Sequence, residues 1–312
     1  MVAPFLHSPA RMLAFASALS ASLVVSSAAA DPPSDPSAQL ERLHDRVASD
    51  LKAGRPFVAQ VHVALCDNRI IRCGGHGLGN GDDPGRNLYW SSSGGMHGWM
   101  SRRGSGWSLA AAGAGDGVGV LASEIWKRSV APSPPLRARG VTSAFDVYVV
   151  ADAWRGTEID EAVKAFASDL ATVEARPRAL PDGTTLASGG AAHLVAWVGH
   201  DRWMDYPRWT PPEPRSAAPP KGTMAIACMS RQYLGDFTST PGRLPLLLTT
   251  DYLFAGSHAF EGALRAFLDG AALGAIADAG ARAYATGQGK PYGRVRYAFI
   301  TSHLHPMDLC ET

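Results

Sequence analysis

Three apolar runs in the second half of the chain lack polar alternation: residues 193–198 (His-Leu-Val-Ala-Trp-Val), 223–227 (Thr-Met-Ala-Ile-Ala) and 244–249 (Leu-Pro-Leu-Leu-Leu-Thr). Runs of this length fit strands of a parallel sheet, which is covered on both faces. Residues 57–65 and 145–151 have the same character and predict two earlier strands, and residues 117–130 suit another. Helical spacing appears between them. Residues 39–53 carry Leu40, Leu43, Val47 and Leu51 at three- and four-residue intervals and close at Gly54, which predicts an amphipathic helix lying on the sheet. A second helix starts at Thr157, with Glu158 and Asp160 in its first turn and Ile159, Val163, Phe166 and Leu170 on one face. Residues 259–269 and 271–286 are helical in composition.

Residues 145–200 therefore form a strand–helix–strand unit, expected to be right-handed. Residues 202–221 are Pro-rich and predict no helix, yet they are long enough for a parallel crossover. The expectation is a three-layer α/β sandwich with a mostly parallel central sheet. It forms a single domain over residues 57–312, preceded by a lead-in and helix over 31–56. Residues 74–107 read as a Gly-rich insertion. The run from Gly74 to Gly81 does not match G-x-G-x-x-G and is expected to form turns rather than a phosphate cradle. Tyr89, Trp90, Trp99 and Trp107 either line a cleft or anchor a long loop.

The first 30 residues change the picture. Arg11 precedes an apolar stretch over 12–25, and Ala28-Ala29-Ala30 offers an A-x-A cleavage pattern before Asp31. This predicts a signal peptide and a secreted or periplasmic protein. No cysteine follows the cleavage point, so a lipid anchor is not expected, and no later stretch is long and apolar enough for a membrane span. In an oxidising compartment the four cysteines need accounting. Cys66 and Cys73 can pair across a short hairpin; Cys228 and Cys310 then either stay free or pair with each other. A composition of 46% hydrophobic and 18% charged residues with formal net charge +1 is ordinary for a globular domain and gives no reason to expect a nucleic-acid partner. No cofactor is expected. Ser302-His303-Leu304-His305 puts two imidazoles on one face of a strand, but without nearby Cys or carboxylate ligands no metal is expected there.

The candidate chemistry lies at two strand ends, Gly199-His200 and Ala227-Cys228. Ligand sites in such sheets gather beyond the carboxyl ends of the strands. If the two strands are parallel neighbours, His200 and Cys228 leave the sheet side by side, the minimum equipment for a cysteine nucleophile. Residues 195–201 (Val-Ala-Trp-Val-Gly-His-Asp) and 224–230 (Met-Ala-Ile-Ala-Cys-Met-Ser) resemble the corresponding segments of the caspase-like cysteine peptidases, the group of caspases, metacaspases, gingipains and separase-type domains. In that group a strand ending in His-Gly and a strand ending in Ala-Cys supply the catalytic dyad. The resemblance covers roughly residues 145–286. It implies a caspase-like fold, His200 and Cys228 as the dyad, and a peptide or protein substrate. The family usually has Gly after the histidine, where a backbone N–H helps form the oxyanion hole; this chain has Asp201.

Backbone N–H groups near Gly199 and Cys228 are the candidate oxyanion donors. Asp67, Asn68, Asp152, Arg155, Asp205, Ser230, Asp251 and His258 lie on segments expected to reach the same rim and are the candidate substrate contacts. Asp201, Asp205, Asp251 and Glu261 would favour a basic substrate side chain, Arg155 an acidic one, and Ser257 suits a helix cap. Two other readings stand beside the peptidase. One is a catalytically silent caspase-like domain that binds peptide or a protein partner, favoured by a disulfide at Cys228 or a blocked oxyanion site at Asp201. The other is a different exported α/β hydrolase, against which no G-x-S-x-G elbow occurs.

Overall fold

The computed structural model describes residues 35–75, 77–115, 119–205, 219–238 and 242–301. The expected signal peptide, Cys310, the 302–305 histidine pair and most of the Pro-rich segment after Asp205 lie outside the described residues.

In chain order the elements begin with helix α1 (Pro36–Lys52), strand β1 (Phe57–Ala64), helix α2 (Met96–Met100) and the hairpin strands β2 (Ser108–Ala114) and β3 (Val120–Val130). They continue with α3 (Pro134–Ala138), β4 (Phe145–Trp154), α4 (Ile159–Ala171), a second hairpin of β5 (Ala175–Ala179) and β6 (Thr185–Gly189), and β7 (Leu194–Val198). The last part holds α5 (Arg202–Asp205), β8 (Lys221–Ile226), α6 (Ser230–Thr238), β9 (Arg243–Thr249), α7 (Ser257–Leu268), α8 (Leu273–Gly287), α9 (Tyr292–Val295) and β10 (Phe299–Ile300).

Among the described residues eight strands form one sheet in the order β10-β9-β8-β7-β1-β4-β3-β2. The five central strands, β9 to β4, are all parallel, whereas β10, β3 and β2 are antiparallel to their neighbours. The three runs of the second half are therefore β7, β8 and β9, side by side in the sheet. Counting only the parallel strands, the first one along the chain sits between the second and the third, a doubly wound order whose switch lies between β1 and β7.

Burial on both faces explains the unbroken apolar runs. Along β7, Leu194, Ala196 and Val198 enter one core with α1, α7 and α8, while Val195 and Trp197 enter a second core with α4 and α6. The two cores on opposite faces of the sheet make the three-layer α/β arrangement. Helix α1 buries Leu40, Leu43 and Val47 along one stripe, starts with Pro36 in its first turn, and is capped by the Asp35 carboxylate accepting from the Ser37 N–H. Among the described residues no helix is long and apolar enough to cross a membrane.

Some elements depart from the expectation. The small residues of β2 (Ser-Leu-Ala-Ala-Ala-Gly-Ala) show no alternation, and the edge position leaves the strand largely exposed. The β5–β6 hairpin stands where the prolines at 177 and 181 predict only a break. It is tied to the sheet and to α4 by charge: Arg178 donates to Asp152 of β4 at 2.8 and 3.0 Å, and Arg176 pairs with Asp169 of α4. Asp152 also accepts from Gln60 at 3.0 Å and Ser123 at 2.7 Å, and Asp169 holds His62 at 2.8 Å. Asp152→Ala would leave Arg178, Gln60 and Ser123 without this acceptor in a nearly closed site. The expected loss is roughly 3 kcal/mol of unfolding free energy, measured by urea titration.

The 74–107 insertion is anchored rather than cleft-lining. Tyr89, Trp90 and Trp107 are buried in the core with α7, and Trp99 packs edge-on against His258. Cys66 and Cys73 form a disulfide at its base.

Candidate active site

Strands β7 and β8 pair in parallel with Val198 opposite Ile226, so His200 and Cys228 each emerge two residues beyond the last paired position, on the same rim. Before His200, Gly199 adopts φ +156°, a backbone conformation that side chains rarely adopt, and a Cβ there would lie a tight 3.1 Å from the Ala64 carbonyl oxygen. The chain then turns into α5, and Asp205 at its end accepts from His200 Nε2 at 2.7 Å. Arg202, bound to Asp160 at 2.7 Å, also reaches Asp205 at 3.3 Å and fixes the carboxylate.

Among the described residues Cys228 is a free, half-buried thiol, between β8 and α6. The residue after it, Met229, has φ +52°, a left-handed conformation rare outside glycine. This turn is pinned from below. Ser230 Oγ donates to the Ala225 carbonyl at 2.7 Å, the Ser230 N–H donates to Thr249 Oγ1 at 3.1 Å, and Thr249 Oγ1 donates to the Ala227 carbonyl. The Met229 N–H donates to the Asp251 carbonyl at 3.1 Å. The Cys228 thiol itself donates to the Leu253 carbonyl at 3.4 Å. Burial raises its pKa above the ordinary thiol value; a backbone hydrogen bond at Leu253 offsets part of this, and the charges of Asp201 and Asp251 add to it. The structure records no hydrogen bond between the His200 ring and the Cys228 sulfur.

Asp201 is fully buried. One carboxylate oxygen accepts from the Trp203 N–H at 3.1 Å, and the other, Oδ2, has no hydrogen-bond partner among the described residues. Burial pushes its pKa up to about 7; backbone hydrogen bonds from Trp203 and Met204 pull it down, and Asp205 adds to the rise.

Several expected contacts are placed elsewhere. The Gly199 N–H donates to the Ile226 carbonyl at 3.2 Å and is not available to an oxyanion. Asp152 lies inside β4, which runs three residues beyond the predicted end, and serves the buried network described above. Ser230 is buried in the Thr249 knot. Asp67 is buried and clamped by Arg69 at 2.5 to 3.1 Å, while Asn68 Oδ1 accepts from the Cys73 N–H at 3.0 Å, holding the disulfide loop. Arg155 pairs with Asp82. His258 is fully buried, packed at 5.2 Å from Tyr284 and bonded to Gln288 at 3.1 Å; burial lowers its pKa. The Ser257 hydroxyl caps nothing and has no partner among the described residues. Glu261 is enclosed by Arg265 at 2.8 Å, Arg102 and Arg128 at 3.7 Å, and the Trp107 indole at 3.3 Å, which takes it out of the rim. Asp251, exposed, stays beside the thiol. The role of Asp205 as partner of His200 was visible only as a carboxylate five residues after a histidine, a signal too common to select it.

Fold and rim together define an α/β protein with a mostly parallel sheet that carries a free thiol and an imidazole–carboxylate pair at the carboxyl ends of adjacent strands. No family model, no curated protein and no solved structure matches the chain.

Proposed function

We propose that the chain is an exported, caspase-like cysteine peptidase in which Cys228 is the nucleophile, His200 moves its proton and Asp205 positions His200. The observation that carries this is the emergence of the free thiol and the His200–Asp205 pair from neighbouring parallel strands on one rim. With Nε2–H donated to Asp205, the His200 ring keeps Nδ1 as its basic nitrogen. That nitrogen takes the thiol proton as sulfur attacks the acyl carbon, and returns it to the leaving amine; water then releases the acyl group. The Cys228 N–H is the remaining oxyanion donor candidate from the sequence. The Cys66–Cys73 disulfide supports export to an oxidising compartment.

A second reading, a silent domain that binds peptide, is favoured by the occupied Gly199 N–H and by a thiol proton held on the Leu253 carbonyl. Iodoacetamide labelling mapped by mass spectrometry separates the two. Labelling of Cys228 at pH 6.5 is expected to slow about fivefold or more in His200→Ala, and to a lesser degree in Asp205→Asn, through loss of the proton acceptor. Equal and slow labelling in all three proteins would leave only the binding domain.

A further inference from the structure

Four cationic side chains converge at the amino-terminal ends of the parallel strands, the rim opposite Cys228. Lys221 opens β8 and Arg243 opens β9, both fully buried. Arg46 reaches in from α1, and Arg55 lies in the turn before β1. Lys221 Nζ donates to the carbonyls of Asp169 at 2.5 Å, Thr172 at 2.8 Å and Gly190 at 2.5 Å. Arg243 donates to the carbonyls of Leu170, Gly242 and Pro219. Arg46 donates to those of Ala191, Ala192 and Pro220 at 2.6 to 3.1 Å.

Among the described residues carboxylates are scarce here. Asp50 pairs with Arg55, lies 3.9 Å from Arg46 and accepts from His193 Nε2 at 2.9 Å. Asp169 acts on Lys221 through space, but its carboxylate is bound to Arg176 and His62. The carbonyl end of α4 offsets about half a charge. Arg46, Arg55 and Arg243 outnumber Asp50, so the balance stays positive even where Lys221 is uncharged. Burial, then Arg243 and Arg46, push Lys221 down to about 6, and burial with Arg46 brings Arg243 to about 10. Arg243 Nη2 is buried with no hydrogen-bond partner among the described residues.

Beside this cluster, between α1 and the β5–β6 hairpin, lies a cavity of about 360 Å³. Its wall is apolar at Pro56, Val58, Val173 and Pro219, and polar at one end, where Arg46, Arg55, Asp50 and His193 meet. Val173 is 41% exposed there, unusual for a large aliphatic side chain, and the Arg55 side chain is 59% exposed. Size and lining are those of a small-molecule site, an apolar body region with few polar groups at one end.

We propose that this cavity binds a small organic anion, a carboxylate carrying an aryl or short alkyl body, with its charge on Arg55 backed by Arg46 and its body on Val58, Val173 and Pro219. A neutral ligand would leave the excess positive charge uncompensated, and a cation would add to it.

Calorimetric titration of the full chain with benzoate, hexanoate, benzyl alcohol and benzylamine tests this. Benzoate and hexanoate are expected to saturate with dissociation constants on the order of 0.1–1 mM. The neutral and cationic analogues should bind at least about tenfold more weakly. Arg55→Ala should weaken benzoate about fivefold or more. Ala187→Trp, which fills the cavity from the exposed face of β6, should abolish binding without changing thermal unfolding. The proposal fails if no carboxylate saturates the wild type, if benzyl alcohol binds as well as benzoate, or if Ala187→Trp leaves the affinity unchanged. Should Ala187→Trp not fold, the Arg55→Ala titration decides alone. None of these readouts passes through Cys228.

Discussion

Lys221→Met will lower the unfolding free energy by roughly 3–4 kcal/mol, measured by urea titration at pH 5, where Lys221, its pKa brought down to about 6, is charged. Two opposing effects decide the number. Removing a buried ammonium relieves a desolvation cost, which is why apolar replacements of buried ion pairs are often tolerated. Here, however, the partners are not a carboxylate that could be removed as well. They are the carbonyls of Asp169, Thr172 and Gly190, which stay in place after the substitution. The first two belong to the end of α4, where the last turn has no intrahelical donors and the helix dipole is negative. Each orphaned carbonyl costs about 1–3 kcal/mol, so the loss of three acceptors' partner outweighs the relief. A change below about 1 kcal/mol would mean that the α4 terminus rearranges to find other donors.

The second large effect is a pH dependence carried by Asp201. Its folded pKa, about 7, lies above the ordinary 3.8, so the folded state binds the proton more tightly than the unfolded chain. The stability from the protonated carboxyl is complete below pH 3.8 and is lost as pH rises towards and through 7. At about 1.4 kcal/mol per pH unit this amounts to at most roughly 4 kcal/mol. Asp201→Asn keeps an acceptor for the Trp203 N–H and removes the charge. The variant should match the wild type near pH 4, exceed it by a few kcal/mol at pH 8, and lose the downward slope between them. Because the Asp201 charge also raises the Cys228 thiol, the same variant should label faster at neutral pH. Parallel stability curves for the two proteins would mean that Oδ2 reaches water.

The strands of the sheet centre were legible because burial on both faces imposes one requirement on every position, and β1, β4, β7, β8 and β9 all satisfy it. The β2 and β5 strands were not, since Ala and Gly at an exposed edge, or Pro and Arg in a hairpin held by ion pairs, obey no apolar period. The same contrast governs the rim. His200 and Cys228 follow directly from where buried strands stop. Asp152 and Ser230 were expected as substrate contacts because a strand end misjudged by three residues, or a serine two after a cysteine, looks the same in sequence whether it faces solvent or a buried network. Their partners, Arg178 and Thr249, are 26 and 19 residues away.

The position of β1 governs how the chain reaches this state. All eight of its residues are buried, and both its neighbours come much later: Phe57 pairs opposite Val147, and Ala59 opposite Leu194. The β2–β3 hairpin and the α7–α8 pair close over short loops, but β1 is made early and waits for two distant strands. Such non-local pairing slows folding and prolongs exposure of an aggregation-prone segment. For a chain that emerges from its amino terminus, Phe-Val-Ala-Gln-Val-His-Val-Ala is the stretch that most needs shielding until residue 198 has followed it.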